Sequence, residues 1–483
     1  MSDIRFPLVY EINARVWLRE LSKKHGKPIT LASVPETEFQ RWKQHRFDAI
    51  WLMGVWKPSP KGREIALHHR GLWQEYSRAL PDWTADDVAC SPYCIAEYAT
   101  AEELGGESGL QKFRERLHAN GMKLILDFVP NHVALDHPWL SLRPDYFIAA
   151  PKSLALQSED FYSPDGERFF ACGKDPYFPA WTDTLQLNYA NPSLRKAMIQ
   201  TLRTVAEKCD GVRCDMAMLE LKSVFNRTWG WLAGEMTEEF WIEAISQIKT
   251  FRSDFLFIAE AYWDTEWTLQ QMGFDFTYDK KLYDRLHRRD IFGVKGHLSA
   301  NWDYQRKMVC FSENHDEERA VARFGENARA VMLLVLTMPG MRLVHQGQIE
   351  GYSRRLPVQL LRRYDEAGDE RIAQFYQRLS HALQNPAITC GNFQLLNARG
   401  DQDVIAFARR CGDRIAQTFT LVNLSDFPKE IRFETDAFDD VESYEHVEVI
   451  TTEPRHSPQF DLWNGGISVR LRAREGLLFV AKR

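Results

Sequence analysis

Four short segments of the chain end in side chains that can carry charge, move protons or attack carbon. Asp127, Asn131 and His132 close the run KLILDFVPNH, Arg213 and Asp215 lie in GVRCDM, Glu260 lies in FLFIAEAY, and Asn314, His315, Asp316 and Glu317 finish MVCFSENHDE. One acid at the end of a strand is an ordinary helix cap or ion-pair partner. Several gathered at one place are another matter, because uncompensated like charges repel and are costly to desolvate. Three carboxylates with an arginine and two histidines suit cleavage of a glycosidic bond with retention. One carboxylate attacks the anomeric carbon, a second protonates the leaving oxygen, and the two lie about 5–5.5 Å apart. The attacking group must stay ionised, which an adjacent guanidinium favours. Arg213 precedes Asp215 by two residues, so on a strand both side chains face the same side. Glu260 has Ala, Tyr and Trp for neighbours, where partial desolvation raises a carboxyl pKa and suits a general acid.

Such groups need a frame that brings distant segments to one rim. Eight β-rich runs recur along the chain, at 8–13, 49–55, 123–129, 211–216, 255–262, 274–279, 308–314 and 341–347. Most are near-continuous apolar stretches, the pattern of parallel strands covered on both faces. Helical spacing falls between several of them. In 109–119 Leu110, Phe113 and Leu117 share a face, and Asn120-Gly121 stops the helix. In 192–208 Pro192 opens a helix striped by Leu194, Met198, Leu202 and Val205. The run 326–338 is helical until Pro339-Gly340. Strands alternating with helices predict a (β/α)8 barrel, whose catalytic groups sit at the C-terminal strand ends.

Two regions break the alternation. Residues 133–188, rich in Pro, Asp and aromatics, are too long for a loop and predict a small inserted subdomain. Beyond about 388 the helical signal gives way to short alternating runs, which predict an antiparallel β-sandwich. The expected division is therefore a barrel from 1–132 and 189–385, an insertion at 133–188 and a β domain at 388–483. LRRYDE (361–366) reads as a solvated helix face. Trp181, Trp229, Trp231, Trp263 and Trp267 could each line a sugar cleft or fill the core.

Composition narrows the classes. The 483 residues carry 61 Lys and Arg against 67 Asp and Glu, a net charge of −6 without the basic excess expected of a nucleic-acid binder. Hydrophobic residues make up 44%, ordinary for a protein with a sizeable core. No window reads as a membrane span, and the N-terminus lacks the pattern of an export signal. The eight cysteines show no CxxC and no Cys/His zinc spacing. The expectation is a cytoplasmic protein with reduced thiols, no metal ligands, and no nucleic-acid or membrane partner.

DFVPNH (127–132), GVRCD (211–215), the Glu of IAEAYW (258–263) and FSENHD (311–316) resemble, in order and spacing, the four signature segments of the α-amylase superfamily, glycoside hydrolase family 13. SPYCIAEY (91–98), LQLNYANPSLR (185–195) and HQGQIEG (345–351) are similar to further family segments. The resemblance implies Asp215 as nucleophile, Glu260 as acid/base, and Asp316 as the carboxylate that distorts the sugar and holds its hydroxyls. Arg213 would keep Asp215 ionised, His132 and His315 would bond sugar hydroxyls, and Tyr93 would stack on the ring. Asp127 and Asn131 would brace the strand-three loop. It further implies a substrate of α-linked glucosyl units, an α-glucan or oligosaccharide, with 133–188 as the family's domain B.

The chain also departs from the pattern. Many family amylases follow the nucleophile with a Lys-His pair that grips the next sugar and helps hold calcium; Met218 and Leu219 stand there instead. Gln186 replaces an Asp frequent in calcium-binding members. Calcium prefers six to eight oxygens, several from carboxylates, so a structural calcium is doubtful and no cofactor is expected. Hydrolysis of α-1,4 bonds through a glycosyl-Asp intermediate is the first expectation. Transglycosylation or sugar isomerisation through that intermediate, a non-catalytic glucan-binding barrel and a metal-dependent hydrolase are the alternatives.

Overall fold

The structure, a computed structural model, describes residues 5–396, 403–412, 416–434, 446–453, 457–463 and 465–482. Eight parallel strands close into a barrel: β1 (Leu8–Asn13), β2 (Ala49–Met53), β3 (Lys123–Phe128), β4 (Gly211–Cys214), β5 (Leu256–Ala259), β6 (Phe276–Tyr278), β7 (Met308–Phe311) and β8 (Met341–His345). Each pairs with its sequence neighbours, and β8 returns to β1. This is a (β/α)8 TIM barrel, and each strand lies within one of the eight apolar runs. The runs are apolar throughout because both faces are covered, by side chains filling the barrel inside and by helices outside; all six residues of β1 are buried.

The helices begin and end where local chemistry directs. Pro192–Lys208 starts with Asn191 accepting the Ser193 N–H on its side chain, and Gly106–Ala119 runs into Asn120-Gly121. Ala328–Thr337 is almost entirely buried because the barrel covers one side and the C-terminal sheets the other. It stops at Pro339-Gly340. Gly340 has φ +86° and lies so close to β7 that a Cβ there would collide with the Met308 carbonyl.

Two helices between β2 and β3, Pro60–His68 and Arg70–Ala79, were not signalled by the sequence. They bury Ala66, Tyr76 and Ala79 with Leu80, Val88 and Leu360 in a small core of their own. The segment 361–366 is not helical, contrary to the reading of LRRYDE as a helix face. Its arginines are held by distant acids: Arg362 by Asp87 at 2.8 Å, and Arg363 by Glu20.

Within 133–188 the segment His132–Ala134 pairs antiparallel with Thr184–Gln186, and three two- to three-residue strands form a second small sheet. After the barrel, a five-stranded and a three-stranded antiparallel sheet face each other across Leu396, Phe419, Ile431, Phe433, Val469 and Phe479. Arg409, fully buried, spans from this sandwich to the barrel. Its guanidinium donates to the carbonyls of Thr337, Ile388, Gly391 and Asn392 at 2.9–3.1 Å. Among the described residues no helix is long and apolar enough to cross a membrane.

Candidate active site

Arg213 is the hub. It projects from β4 beside Asp127 of β3, is fully buried, and meets three carboxylates. Its Nη1 is 2.5 Å from Asp215 Oδ1 and 3.8 Å from Asp127 Oδ1, and its Nη2 is 2.8 Å from Glu260 Oε2. The rings of Trp51, Tyr93 and Tyr278 surround its Cζ at 5.1–5.7 Å. A guanidinium this deep is stable only with paired acids and aromatic faces around it. The strand ladder continues past the strands to fix the acids: Asp215 N–H donates to the Phe128 carbonyl at 2.8 Å, and Glu260 N–H to the Cys214 carbonyl at 3.0 Å.

Beyond Asp215 the chain turns through Met216, a non-glycine residue at φ +46°. That uncommon backbone aims the Met216 N–H at Glu260 Oε2, 2.6 Å away. The Tyr262 hydroxyl lies 2.7 Å from Glu260 Oε1. Burial pushes Glu260 up to about 7, against the pull of Arg213. The Tyr262 O–H donates to Glu260 Oε1, a bond that, like Arg213, favours the ionised carboxyl. Burial also raises Asp215, with Arg213 opposing it, and raises Asp127 to about 7.

On the opposite side, Asn314 Oδ1 accepts the N–H groups of Asp316 and Glu317, shaping the turn after β7. His315 is gripped at both nitrogens. Nδ1 is 2.5 Å from Glu11 Oε1 on β1, and Nε2 is 2.7 Å from the Tyr93 hydroxyl and 3.0 Å from Asp316 Oδ2. Burial opposes protonation of His315, but Asp316 and Glu11 outweigh it and carry its pKa to about 10. Asp316, its side chain 42% exposed at the cleft, is correspondingly held well below the usual carboxylate range by His315 and Arg213, against the partial desolvation of its surroundings. His132 is the opposite case: burial lowers it to about 4, leaving a neutral imidazole beside Trp181, with ring centroids 5.1 Å apart.

These groups open on a cleft of about 340 Å³ lined by Tyr93, His132, Trp181, Asp215, Glu260 and Asp316, with Met216, Tyr262 and Gln359 on its rim. Arg213 and His315 stand behind that lining, as do Asp127 and Asn131. Glu11 and Tyr262 were missed from sequence. The signal for Glu11 was present, a single acid inside the apolar run LVYEIN. Of the five tryptophans, Trp181 lines the cleft, Trp229 is buried, Trp263 is half-buried against Tyr177, and Trp231 and Trp267 are exposed.

Asn131 meets Gln186 rather than an acid. Gln186 Nε2 donates to Asn131 Oδ1 at 2.8 Å, to the Asn131 carbonyl at 3.0 Å and to the Leu187 carbonyl at 3.2 Å, while its Oε1 accepts the Lys174 N–H. Backbone carbonyls on one side and an N–H on the other fix the orientation of this amide. A nitrogen donor pointing at three oxygens does not fit a calcium ion at this junction. Among the described residues no cluster of three or more His, Cys, Asp or Glu forms a metal-binding group.

The sequence profile of the α-amylase catalytic domain matches residues 42–381. The chain belongs to the α-amylase family. The α-amylase MalA of Haloarcula japonica is 26% identical over 343 residues, covering 67% of this chain and 46% of that protein. The probable oligo-1,6-glucosidase 2 of Bacillus subtilis is 21% identical over 300 residues, covering 52% of this chain and 54% of that one. This chain thus spans about half the length of these α-amylase-family relatives. A noncanonic maltogenic α-amylase, AmyB of Thermotoga neapolitana, shares the fold with a TM-score of 0.68 at 20% identity, over 99% of both chains. Met218 and Leu219, which stand where many family amylases carry a Lys-His pair, are buried, 0% and 3% exposed, and neither lines the cleft.

Proposed function

We propose that the chain is a retaining glycosidase that cleaves α-1,4 bonds of maltooligosaccharides or of glycogen- and starch-derived glucans. The observation that carries this reading is the sharing of one guanidinium by Asp215 and Glu260. Two carboxylates tied to one planar cation support the close spacing of a retaining pair, not the wider gap that admits a water in inverting enzymes. Asp215 attacks the anomeric carbon as Glu260 protonates the departing oxygen, and a glycosyl-Asp215 ester forms. Glu260, now ionised, draws a proton from water, which attacks the same carbon and frees Asp215. The high pKa of Glu260 keeps its proton available near neutrality. Arg213 holds Asp215 in its attacking form. Asp316 and neutral His132 bond sugar hydroxyls, the imidazolium of His315 holds Asp316 and the Tyr93 hydroxyl in place from behind, and Tyr93 offers its ring to the sugar face. No step requires a metal.

Transfer to a sugar hydroxyl instead of water is a second reading. It is favoured by the Met216, Tyr262 and Trp181 side chains at the cleft, which present apolar and aromatic surface where an acceptor would lie. Product analysis with maltotriose separates the two: glucose and maltose alone mean hydrolysis, longer or isomeric products mean transfer. Asp215→Asn should lower turnover by at least about 10³-fold with folding and sugar binding kept. Unchanged turnover in that variant would remove Asp215 as nucleophile.

A further inference from the structure

Two kinds of segment border the sugar cleft. Met216 and Tyr262 follow β4 and β5, the strands that lead to the nucleophile and the acid. Gln359 comes from the segment after β8. In the closed barrel β1 stands four strands from β5 in either direction, directly across. The segment 353–363 leaves β8 and crosses β1 to the chain that follows β2. There Leu360 pairs with Val88 in an antiparallel bridge. The Ala89 N–H donates to the Gln359 carbonyl and the Leu361 N–H to the Asp87 carbonyl, both at 2.8 Å. Leu360 is buried with Tyr76, Leu80 and Val88, and Leu356 packs against them. Arg362 clasps Asp87 with two bonds, at 2.8 and 3.1 Å. Main-chain bonds, a buried leucine and a bidentate ion pair make this strap a fixed wall.

Little space is left beneath it. At the ends of β1, β2 and β8 a gap of about 30 Å³ is walled by Asn13, Met53, His345, Leu356 and Val358. A water needs about 10–15 Å³, so the gap admits water and no sugar ring. The cleft itself, about 340 Å³, stands at the small end of the roughly 300–1,000 Å³ of ligand sites. The leaving oxygen must lie on the side of Glu260, so the departing part of a glucan runs out past Met216 and Tyr262. The opposite direction, from the 4-oxygen of the attacked ring, leads to the strap.

We propose that the strap 353–363 restricts the chain to the non-reducing ends of its substrates, and that Gln359 is the specificity-determining residue that bonds the terminal ring there. The inference rests on the glycosidase reading above and narrows its substrate class to free-ended maltooligosaccharides, shortened by one glucose at a time. The attacked ring then carries a free 4-hydroxyl, because no further sugar fits beyond it. Gln359 is half-buried and its main chain is fixed by the Ala89 N–H, while its side-chain amide has no hydrogen-bond partner among the described residues. An amide offers both a donor and an acceptor, as a sugar hydroxyl does. Ser91 lines the same cleft; its Oγ accepts the Tyr93 N–H at 3.2 Å, which leaves its O–H for a ligand.

The test compares 4-nitrophenyl α-maltopentaoside with the same compound blocked at its non-reducing end by a 4,6-O-ethylidene group, the nitrophenyl products being separated by chromatography. The free-ended compound should lose one glucose first, giving the nitrophenyl maltotetraoside, and the blocked one should be cut at least about tenfold more slowly. A blocked compound cut at a rate closer than that, or maltose as the first product, overturns the proposal. Gln359→Ala should lower kcat/KM on the free-ended compound about three- to tenfold, the worth of one hydrogen bond, with the melting temperature kept. An unchanged kcat/KM removes Gln359 from the role. If neither compound is cut, the glycosidase reading fails, and binding of the two, followed by tryptophan fluorescence with Trp181 in the cleft, decides the strap separately. Binding of the free-ended compound at least about tenfold tighter upholds it, and equal binding or none overturns it.

Discussion

Glu11→Gln isolates one charge behind the sugar cleft. Glu11 is fully buried, its Oε1 lies 2.5 Å from His315 Nδ1, and the glutamine keeps its shape and an oxygen able to accept that N–H. Facing His315 are Glu11 from β1, Asp316 and the Tyr93 hydroxyl, while Arg319 is paired with Glu313 at 3.0 Å nearby. Removing one of two carboxylates from a buried imidazolium should lower its pKa by about one to three pH units, from about 10 to about 7–9. At pH 8 the protonated fraction then falls to between about a tenth and nine-tenths. Exchanging a charged hydrogen bond for a neutral one at Asp316, the cleft carboxylate that His315 holds, costs about 1–1.5 kcal/mol, roughly a tenfold loss in kcat/KM. The assay is the pH profile of kcat/KM on a chromogenic maltoside. The wild-type profile should fall above about 7, as Glu260 loses its proton, with unit slope until His315 titrates near 10. In the variant an additional fall of about tenfold in total should set in from about 7–9. Stability follows the same sign. A histidine pKa raised on folding contributes stability that is full below about 6.5 and lost as pH rises through about 10, and in the variant that loss should come earlier. Superimposable profiles from two equally folded proteins would refute the charge role given to Glu11.

Two further outcomes test the frame around the site. Gln186→Glu replaces the N–H donor facing Asn131 and Leu187 with an oxygen, and should lower the melting temperature through about 1–3 kcal/mol of lost and repulsive contacts. Millimolar calcium should recover part of that loss in the variant and leave the wild type unmoved; EDTA inactivation of the wild type, reversed by metal, would overturn the amide account. Gly340→Ala forces a Cβ into the Met308 carbonyl at a positive φ and should destabilise by more than about 1 kcal/mol, read as a lower urea midpoint; an unchanged midpoint would refute the close-approach argument.

The barrel was legible because strands buried on both faces write themselves as unbroken apolar runs. The candidate site was legible because Asp127, Arg213, Glu260 and Asp316 stand where those runs end. What was not legible depends on contacts remote in sequence. Pro60–His68 and Arg70–Ala79 carry Gly62 and Gly71 within short, charged stretches, and their apolar residues make sense only against Val88 and Leu360. LRRYDE resembles an amphipathic helix until Asp82, Asp87 and Glu20 are brought to its arginines. The strands within 133–188 are two or three residues long, too short for a period to register. Glu11 was visible as an oddity, but only its approach to His315 gives it a task.

Arg409 joins the two halves of the molecule without the help of any acid. Four of its N–H groups are spent on main-chain oxygens from both sides of the junction, so the guanidinium acts as a rivet, not as half of an ion pair. Salt has little purchase on such a joint, and clipping away the sandwich would leave the Thr337 and Ile388 carbonyls facing a void. The appended sheets are thus a fitted end-plate of the barrel, and heat should take both apart together.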